Sequence, residues 1–316
     1  MKRILVTGAL GQIGSELIIS LRKQYGNENV IVSNRSKHGD SSILESGPFE
    51  LLDVNDDKKL FGICTKYNID QIIHLASILS ANAEKNPQMA YKINMNGIYN
   101  VLEVARELNL AVFTPSSIAA FGHNTPLNNT PQDTIQRPAT IYGVTKVAGE
   151  LLCDYYHIRY GVDTRGVRFP GIISYATLPG GGTTDYAVHI FYEALKNKQY
   201  ESFIKAGTFM DMMYMPDALN AVVTLMEADP SKLKHRNAFN ITAMSFEPSQ
   251  IAAAIKKYIP EFSMDYDVDP VRQAIADSWP NSIDDSAARE EWGFKARYDL
   301  DSMTKDMLEK LSKKLK

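Results

Sequence analysis

Cysteine is scarce in this 316-residue chain, with only Cys64 and Cys153 present. Two thiols cannot build a disulfide framework. Both fall in helix-like surroundings, so ordinary buried or half-buried thiols in a reducing compartment are expected. Any apolar run near the roughly 18 residues needed to span a bilayer is also missing. The N-terminus opens straight into a strand pattern, without a charged and then apolar leader. These absences predict a cytoplasmic protein, or a matrix protein without its presequence, and no membrane partner. Nor is there an excess of one charge: 34 Lys and Arg face 37 Asp and Glu, a net charge of -3 with the signs interspersed. That pattern lacks the basic footprint of a nucleic-acid binder. The His, Cys and carboxylate residues show no metal-ligand spacing, so no metal is expected and zinc-dependent chemistry is not indicated.

The length is enough to bury a large core. Short β-branched runs at Arg3–Thr7, Val30–Ser33, Gln71–Leu75, Ala111–Pro115 and Thr164–Phe169 alternate with helical patterns near Gly14–Tyr25, Asp57–Tyr67, Gln88–Leu108 and Ile141–Tyr160. Such alternation predicts an α/β fold, a Rossmann-type doubly wound parallel sheet with ligands at the carboxyl ends of its strands. From about residue 179 the pattern is less regular. Helices are expected at Tyr186–Leu195, Pro216–Met226, Pro248–Tyr258 and from Leu300 to the C-terminus, with a short strand at Ala238–Thr242 and a loop over Ser278–Ser286. The division predicted is a nucleotide domain over 1–178 and, over 179–316, a smaller mixed substrate lobe with some segments returning to the main domain.

The first strand runs into a tight turn and a helix, RILVTGALGQIGSEL, which places Gly8, Gly11 and Gly14 at the first βα junction. Glycines there let the backbone approach a pyrophosphate, and the helix N-terminus offers unpaired N–H groups to the anion. The second strand ends Ser33-Asn34-Arg35, where a carboxylate usually reads the ribose. Asn34 can bond the ribose hydroxyls without repelling a 2′-phosphate, and Arg35 could attract one, so spacing leaves NAD and NADP both open. Asp53, followed by Val54, stands where a carboxylate can meet the adenine amino group, or where it can cap a helix.

Catalytic groups are sought at FTPSSIAAFG, with Ser116 and Ser117, and at IYGVTKVAGELL, where Tyr142 and Lys146 share one helix face. A phenol titrates ordinarily near pH 10. A nearby lysine and an oxidised nicotinamide favour the phenolate and make Tyr142 a usable base. A serine hydroxyl opposite could orient the reacting oxygen.

The segments GALGQIG, Asp53-Val54, HLAS at 74–77, the serine pair and YGVTK together resemble the extended short-chain dehydrogenase/reductase family. Within it the chain is similar nearly end to end to the L-threonine 3-dehydrogenase branch, through SGPFE (46–50), LSANAEKNP (79–87), TPSSIAAFG (114–122), RFPGIIS (168–174), PGGGTTDYA (179–187), MMYMPDA (212–218) and ADSWPNSIDDS (276–286). The resemblance implies oxidation of the 3-hydroxyl of L-threonine to 2-amino-3-oxobutanoate, with hydride passing to NAD. It implies Tyr142 as base, Lys146 on the nicotinamide ribose, and Ser117 rather than Ser116 at the catalytic serine position. It further implies cofactor contacts from Gly8, Gly11, Gln12, Ile13, Gly14, Asn34, Arg35, Asp53, Val54, Leu75, Ala76, Ser77, Asn94, Tyr142, Lys146, Pro170 and Ile172. Substrate contacts are expected from Ser117, Tyr142, Gly181, Thr183 and Thr184, while Ser80, in the loop after the fourth strand, either meets the amino acid or serves simple turn chemistry. NAD is the cofactor implied, with NADP the minority alternative because Asn34 replaces the usual acidic residue. A homodimer through the helices near 88–108 and 141–160 is the expected assembly.

A nucleotide-sugar epimerase or dehydratase on the same scaffold is the competing enzyme. Such enzymes commonly place an asparagine after the strand ending at Arg168 and an arginine near residue 210. Here those stretches read Phe169-Pro170-Gly171 and Thr208-Phe209-Met210-Asp211-Met212-Met213. A non-catalytic dinucleotide sensor is the alternative from another class, and retention of Ser117, Tyr142 and Lys146 argues against it. His74 is expected to pack near the cofactor, and Trp279 to pack the lobe or wall the cleft. With the pyrophosphate already cradled at Gly8–Gly14, the glycine run in PGGGTTDYA is expected to act as a clamp, its threonines aimed at a small amino acid, or else as a plain linker.

Overall fold

The central strands of the main sheet are short runs rich in β-branched residues, separated by turns and helices. The computed structural model describes residues 2–39, 41–178 and 180–315. In chain order the strands are β1 (Ile4–Thr7), β2 (Val30–Asn34), β3 (Phe49–Leu51), β4 (Gln71–His74), β5 (Ala111–Ser117), β6 (Thr164–Phe169), β7 (Gly171–Ile173), β8 (Gln199–Ser202), β9 (Met210–Tyr214), β10 (Phe239–Asn240), β11 (Met244–Phe246) and β12 (Ser263–Tyr266). Among the described residues, seven form one parallel sheet in the order β10-β6-β5-β4-β1-β2-β3. The chain winds outward from β1 to β3 and then returns to β4 on the other side of β1. Such a reversal opens a crevice at the carboxyl ends of the strands.

Successive strand side chains point to opposite faces, and both faces are buried. Leu5, Ile31, Ile72 and Val112 pack with Leu60, Val101, Leu102 and Cys153 of the helices Asp57–Tyr67, Pro87–Leu108 and Ile141–Tyr160. Their neighbours Val6, Val32, Ile73 and Phe113 face Leu17 and Leu21 of helix Gln12–Tyr25 and Val222 and Leu225 of helix Met215–Glu227. Local chemistry fixes the helix ends. Thr140 accepts from the Gly143 amide to start Ile141–Tyr160, and Gly161 at φ 72° ends it.

A further core that includes Tyr186, Phe191, Met212, Tyr214, Phe246 and Trp279 lies beyond the main sheet. There β7 pairs with β9 in parallel and β11 with β9 antiparallel, while β8 and β12 form a separate parallel ribbon. The chain crosses between the two layers more than once. β7, which precedes residue 179, joins the second sheet, whereas β10 returns to the main one. The strand expected over Ala238–Thr242 shortens to Phe239–Asn240, and the helix expected to reach Tyr258 ends at Lys256. Ser286 opens helix Ser286–Trp292 instead of closing the preceding loop. Among the described residues no helix is long and apolar enough to cross a membrane.

Candidate active site

A cleft of about 540 Å³ opens at the crevice. Its floor is the first βα turn: Gly8, Gly11, Gln12, Ile13 and Gly14 all line it. Gly8 sits at φ +64°, and a Cβ there would fall 2.5 Å from the Ala76 backbone nitrogen. Only glycine lets these two segments meet. Helix Gln12–Tyr25 starts at Gly11 without a side-chain cap, so its first amides are left for an anion. These features fit a dinucleotide pyrophosphate.

Asn34, Arg35, Asp53, Val54, Leu75, Ala76, Ser77, Pro170 and Ile172 all wall the same cleft. Asn34 donates its amide to the Ser36 carbonyl at 3.1 Å, and Arg35 is exposed at the rim. Asp53 is not the helix cap. Asp56 caps Asp57–Tyr67, while Asp53 accepts from the backbone and side-chain amides of Asn55 at 2.9 and 2.8 Å. Those bonds, with Arg35 and Lys92 further off, hold the Asp53 carboxyl below its ordinary value.

Asn94 is not among the residues that line the cleft but braces its wall. Its amide oxygen accepts from Ile78 N at 2.8 Å and from Ser77 Oγ at 3.2 Å, and its nitrogen donates to Ile78 O and Thr145 Oγ1, each at 3.2 Å. A buried amide has to be satisfied, and this one is satisfied by the wall it braces. It lines a small cavity of about 30 Å³ behind the cleft, together with His74. His74 shares a 2.8 Å hydrogen bond with Thr7 Oγ1, and burial together with Lys146 pulls its imidazole down to about 3, so it stays neutral.

At the reacting end, β5 delivers Ser117 and helix Ile141–Tyr160 delivers Tyr142 and Lys146 to one wall. Lys146 Nζ donates to the Pro115 carbonyl at 2.7 Å and lies 5.3 Å over the Tyr142 ring. Ser117 Oγ accepts from Ala119 N at 3.2 Å. Ser116 donates its hydroxyl to Glu150 beneath the cleft, which leaves Ser117 as the serine beside the phenol. Burial pushes the Tyr142 phenol up to about 12, against a hydrogen bond from Ser117 that pulls it down. Burial likewise lowers Lys146 to about 8, while Glu150 and Cys153 oppose that fall. Within the chain alone, desolvation of the phenol outweighs the Ser117 hydrogen bond.

Ser80 lines the cleft but opens the short helix Ser80–Lys85, where a loop was expected. Thr183 and Thr184 form the turn Thr183–Asp185 and wall the cleft with Gly180 and Gly182. The Thr183 Oγ1 is buried and has no partner within the chain. Gly181, at φ +94°, is not part of the wall. Its amide and that of Gly182 donate to Asp185 Oδ2 at 2.8 and 2.6 Å. The glycine amides that could cradle a phosphate are thus already held by a carboxylate. Asp185 was not singled out from sequence, although an Asp three residues past Gly182 is the spacing of a capping turn. Pro179 lies outside the described residues. Trp279 both packs the lobe and walls the cleft. Met210, Met212 and Met213 are fully buried core residues.

The model of the NAD-dependent epimerase/dehydratase family matches residues 4–242. A curated relative from Staphylococcus saprophyticus, described as an uncharacterised epimerase/dehydratase, is 58% identical over 316 residues, covering 100% of this chain and 99% of the relative. The chain belongs to the NAD-dependent epimerase/dehydratase family. Two solved members are close to it in structure. An L-threonine dehydrogenase from Clostridium difficile is 68% identical with a TM-score of 0.98, covering 99% of this chain and 98% of that one. A GalE-like L-threonine dehydrogenase from Cupriavidus necator, in its holo form, is 50% identical with a TM-score of 0.95, covering 98% and 99%. For a member of this family, the turn at Gly8–Gly14 and the wall at Leu75–Ser77 are the parts of the cleft suited to the dinucleotide.

Proposed function

We propose that the chain is an L-threonine 3-dehydrogenase that oxidises the 3-hydroxyl of L-threonine with NAD. One observation carries this reading. Ser117, Tyr142 and Lys146 share a wall with a loop that presents the unpartnered Thr183 hydroxyl. Among the described residues the basic side chains of the cleft are Arg35, His38 and Lys146, and the first two follow β2 at the ribose end. The reacting end suits a small zwitterion and offers no cluster of cations to a second diphosphate. The names of the similar solved enzymes support the same reading.

When bound, the oxidised nicotinamide supplies a hydride acceptor. Tyr142 takes the proton of the threonine 3-hydroxyl while the electron pair of the C3–H bond leaves as hydride, and the C–O bond becomes a carbonyl. The products are 2-amino-3-oxobutanoate, NADH and one proton held at the Tyr142 phenol oxygen. Ser117 orients the reacting oxygen. Lys146 would hold the nicotinamide ribose, and its ammonium together with the positive nicotinamide ring would offset the burial that raises the phenol. Thr183 and Thr184 hold the carboxylate or amino group, and Ser80 completes that wall. NAD is favoured over NADP, with Asn34 bonding the ribose hydroxyls.

A homodimer through helices Pro87–Leu108 and Ile141–Tyr160 accompanies this reading, because these helices expose Tyr91, Tyr99, Leu151, Tyr155 and Ile158, the last 83% exposed. The two free, buried cysteines suit the cytoplasm. Comparing kcat/KM for L-threonine with NAD and with NADP tests substrate and cofactor together. Turnover only with NADP contradicts the cofactor, and no threonine-dependent reduction of either contradicts the function.

A further inference from the structure

Beneath the reacting end lies a buried carboxylate to which neither sequence nor chemistry has so far given a role. Glu150 stands one helical turn beyond Lys146. It accepts from Ser116 Oγ, from Gln136 Nε2 at 2.8 Å, and from Arg168 through Nε at 3.1 Å and NH2 at 2.8 Å. Arg168 is held in turn by Gln132 O at 2.9 Å and Asn240 Oδ1 at 3.0 Å, with its guanidinium 5.2 Å over the Phe121 ring. One carboxylate thus ties together the three elements that carry the site. Ser116 precedes Ser117 on β5, Lys146 and Tyr142 share the helix with Glu150, and Arg168 precedes the Phe169-Pro170 wall on β6. The small cavity behind the cleft is lined by both Lys146 and Glu150.

We propose that Glu150 is a positioning residue that keeps the Lys146 ammonium charged and in register with Ser117 and Tyr142. It acts through its neighbours and does not touch the substrate. This inference rests on the roles given to Tyr142 and Lys146 above. The titratable and charged groups around the pair are Tyr142, Cys153 and Asp154 on the same helix, His74 from β4 and Arg168 from β6. His74 is neutral and Cys153 is held as the thiol, both through burial. Glu150 is the first group to oppose the desolvation of Lys146. Without that negative charge, burial and the unpaired Arg168 would together drive the ammonium toward the neutral amine. A neutral lysine no longer assists ionisation of the phenol.

The test uses the full-length enzyme and the variants Glu150→Gln, Ser116→Ala and Glu150→Gln with Arg168→Gln. Lys146 protonation is read by acetic anhydride labelling across a pH series, with mass spectrometry resolving the individual lysines. Glu150→Gln should lower the Lys146 midpoint by about one pH unit or more. Ser116→Ala, which keeps the charge, should leave it in place. The double variant leaves no unpaired buried charge, so it addresses the case in which Glu150→Gln alone fails to fold, and it should still lower the midpoint. In kinetics with L-threonine and NAD, the deficit of Glu150→Gln should be about tenfold near pH 9 and shrink to about twofold or less near pH 6.5, where lysine regains its proton. A deficit equal at every pH with an unmoved midpoint would reduce Glu150 to a structural ion pair and overturn the proposal. If the wild type does not oxidise threonine, the proposed function fails, while the labelling midpoints still decide this inference.

Discussion

The Gly182 amide points at the Asp185 carboxylate, 2.6 Å away, and the Gly181 amide joins it at 2.8 Å. Three consecutive glycines are costly to order, so a charged acceptor that gathers two of their amides does the ordering. The loop that carries Thr183 and Thr184 is therefore anchored by its own side chain. Asp185→Asn weakens a charge-assisted contact to a neutral one, so the threonine KM should rise roughly five- to tenfold, equivalent to about 1–1.4 kcal/mol. Affinity for NAD, followed by fluorescence titration, should stay as it was. Unaltered threonine kinetics would reduce the loop to a linker.

Thr183 offers a sharper contrast. Its buried Oγ1 lacks a partner within the chain, which is a cost to folding unless a ligand takes it up. Thr183→Val keeps the shape and removes the hydroxyl. Thermal stability should hold or rise, while the threonine KM rises about tenfold. Thr184→Ala should also impair threonine use and spare NAD affinity. A Thr183→Val protein that is less stable yet kinetically unchanged would argue that the hydroxyl serves the fold.

The phenol sets the pH dependence. Burial raises Tyr142 to about 12, so the deprotonated base is the minor form at neutral pH. Its fraction grows tenfold per pH unit below that value, and kcat/KM should climb with pH through the neutral range. Tyr142→Phe should cost about 10²–10⁴ in kcat and leave a residual rate without that climb. NAD binding should survive. A Phe variant that keeps the wild-type pH slope would assign the base elsewhere.

At the cofactor end the sensitive position is Gly8. Its positive φ costs an L-residue about 1–2 kcal/mol, and an added Cβ would meet the Ala76 backbone. Gly8→Ala should lower the melting temperature and weaken NAD binding by more than tenfold. Normal NAD affinity in this variant would place the pyrophosphate elsewhere.

Legibility from sequence followed the range of the interaction involved. Helix Ile141–Tyr160 falls where its caps put it, because Thr140 and Gly161 act locally, and β6 coincides with the strand expected at Thr164–Phe169. The outer ribbon gave little pattern, since β12 is largely exposed and β8, although it alternates exposed and buried, is only four residues long. Ser117, Tyr142 and Lys146 were legible as a spacing on known elements, and the cleft brings them together. The bonds that Asn94 makes were not legible, because its partners are 16 and 51 residues distant. Glu150 and Asp185 were missed for related reasons. A carboxylate one turn past Lys146 looks like any solvated helix residue until Arg168 and Ser116 are seen against it. The burial that raises the Tyr142 phenol was not legible either, because desolvation depends on packing, which spacing does not report.

The central claim is tested most directly by NADH absorbance, with the purified chain supplied NAD and either L-threonine or a UDP-sugar. Threonine-dependent NADH formation, saturable in threonine and lost in Tyr142→Phe, is the predicted result. No reduction with threonine, alongside conversion of the UDP-sugar followed by chromatography because epimerisation leaves no net NADH, would contradict it.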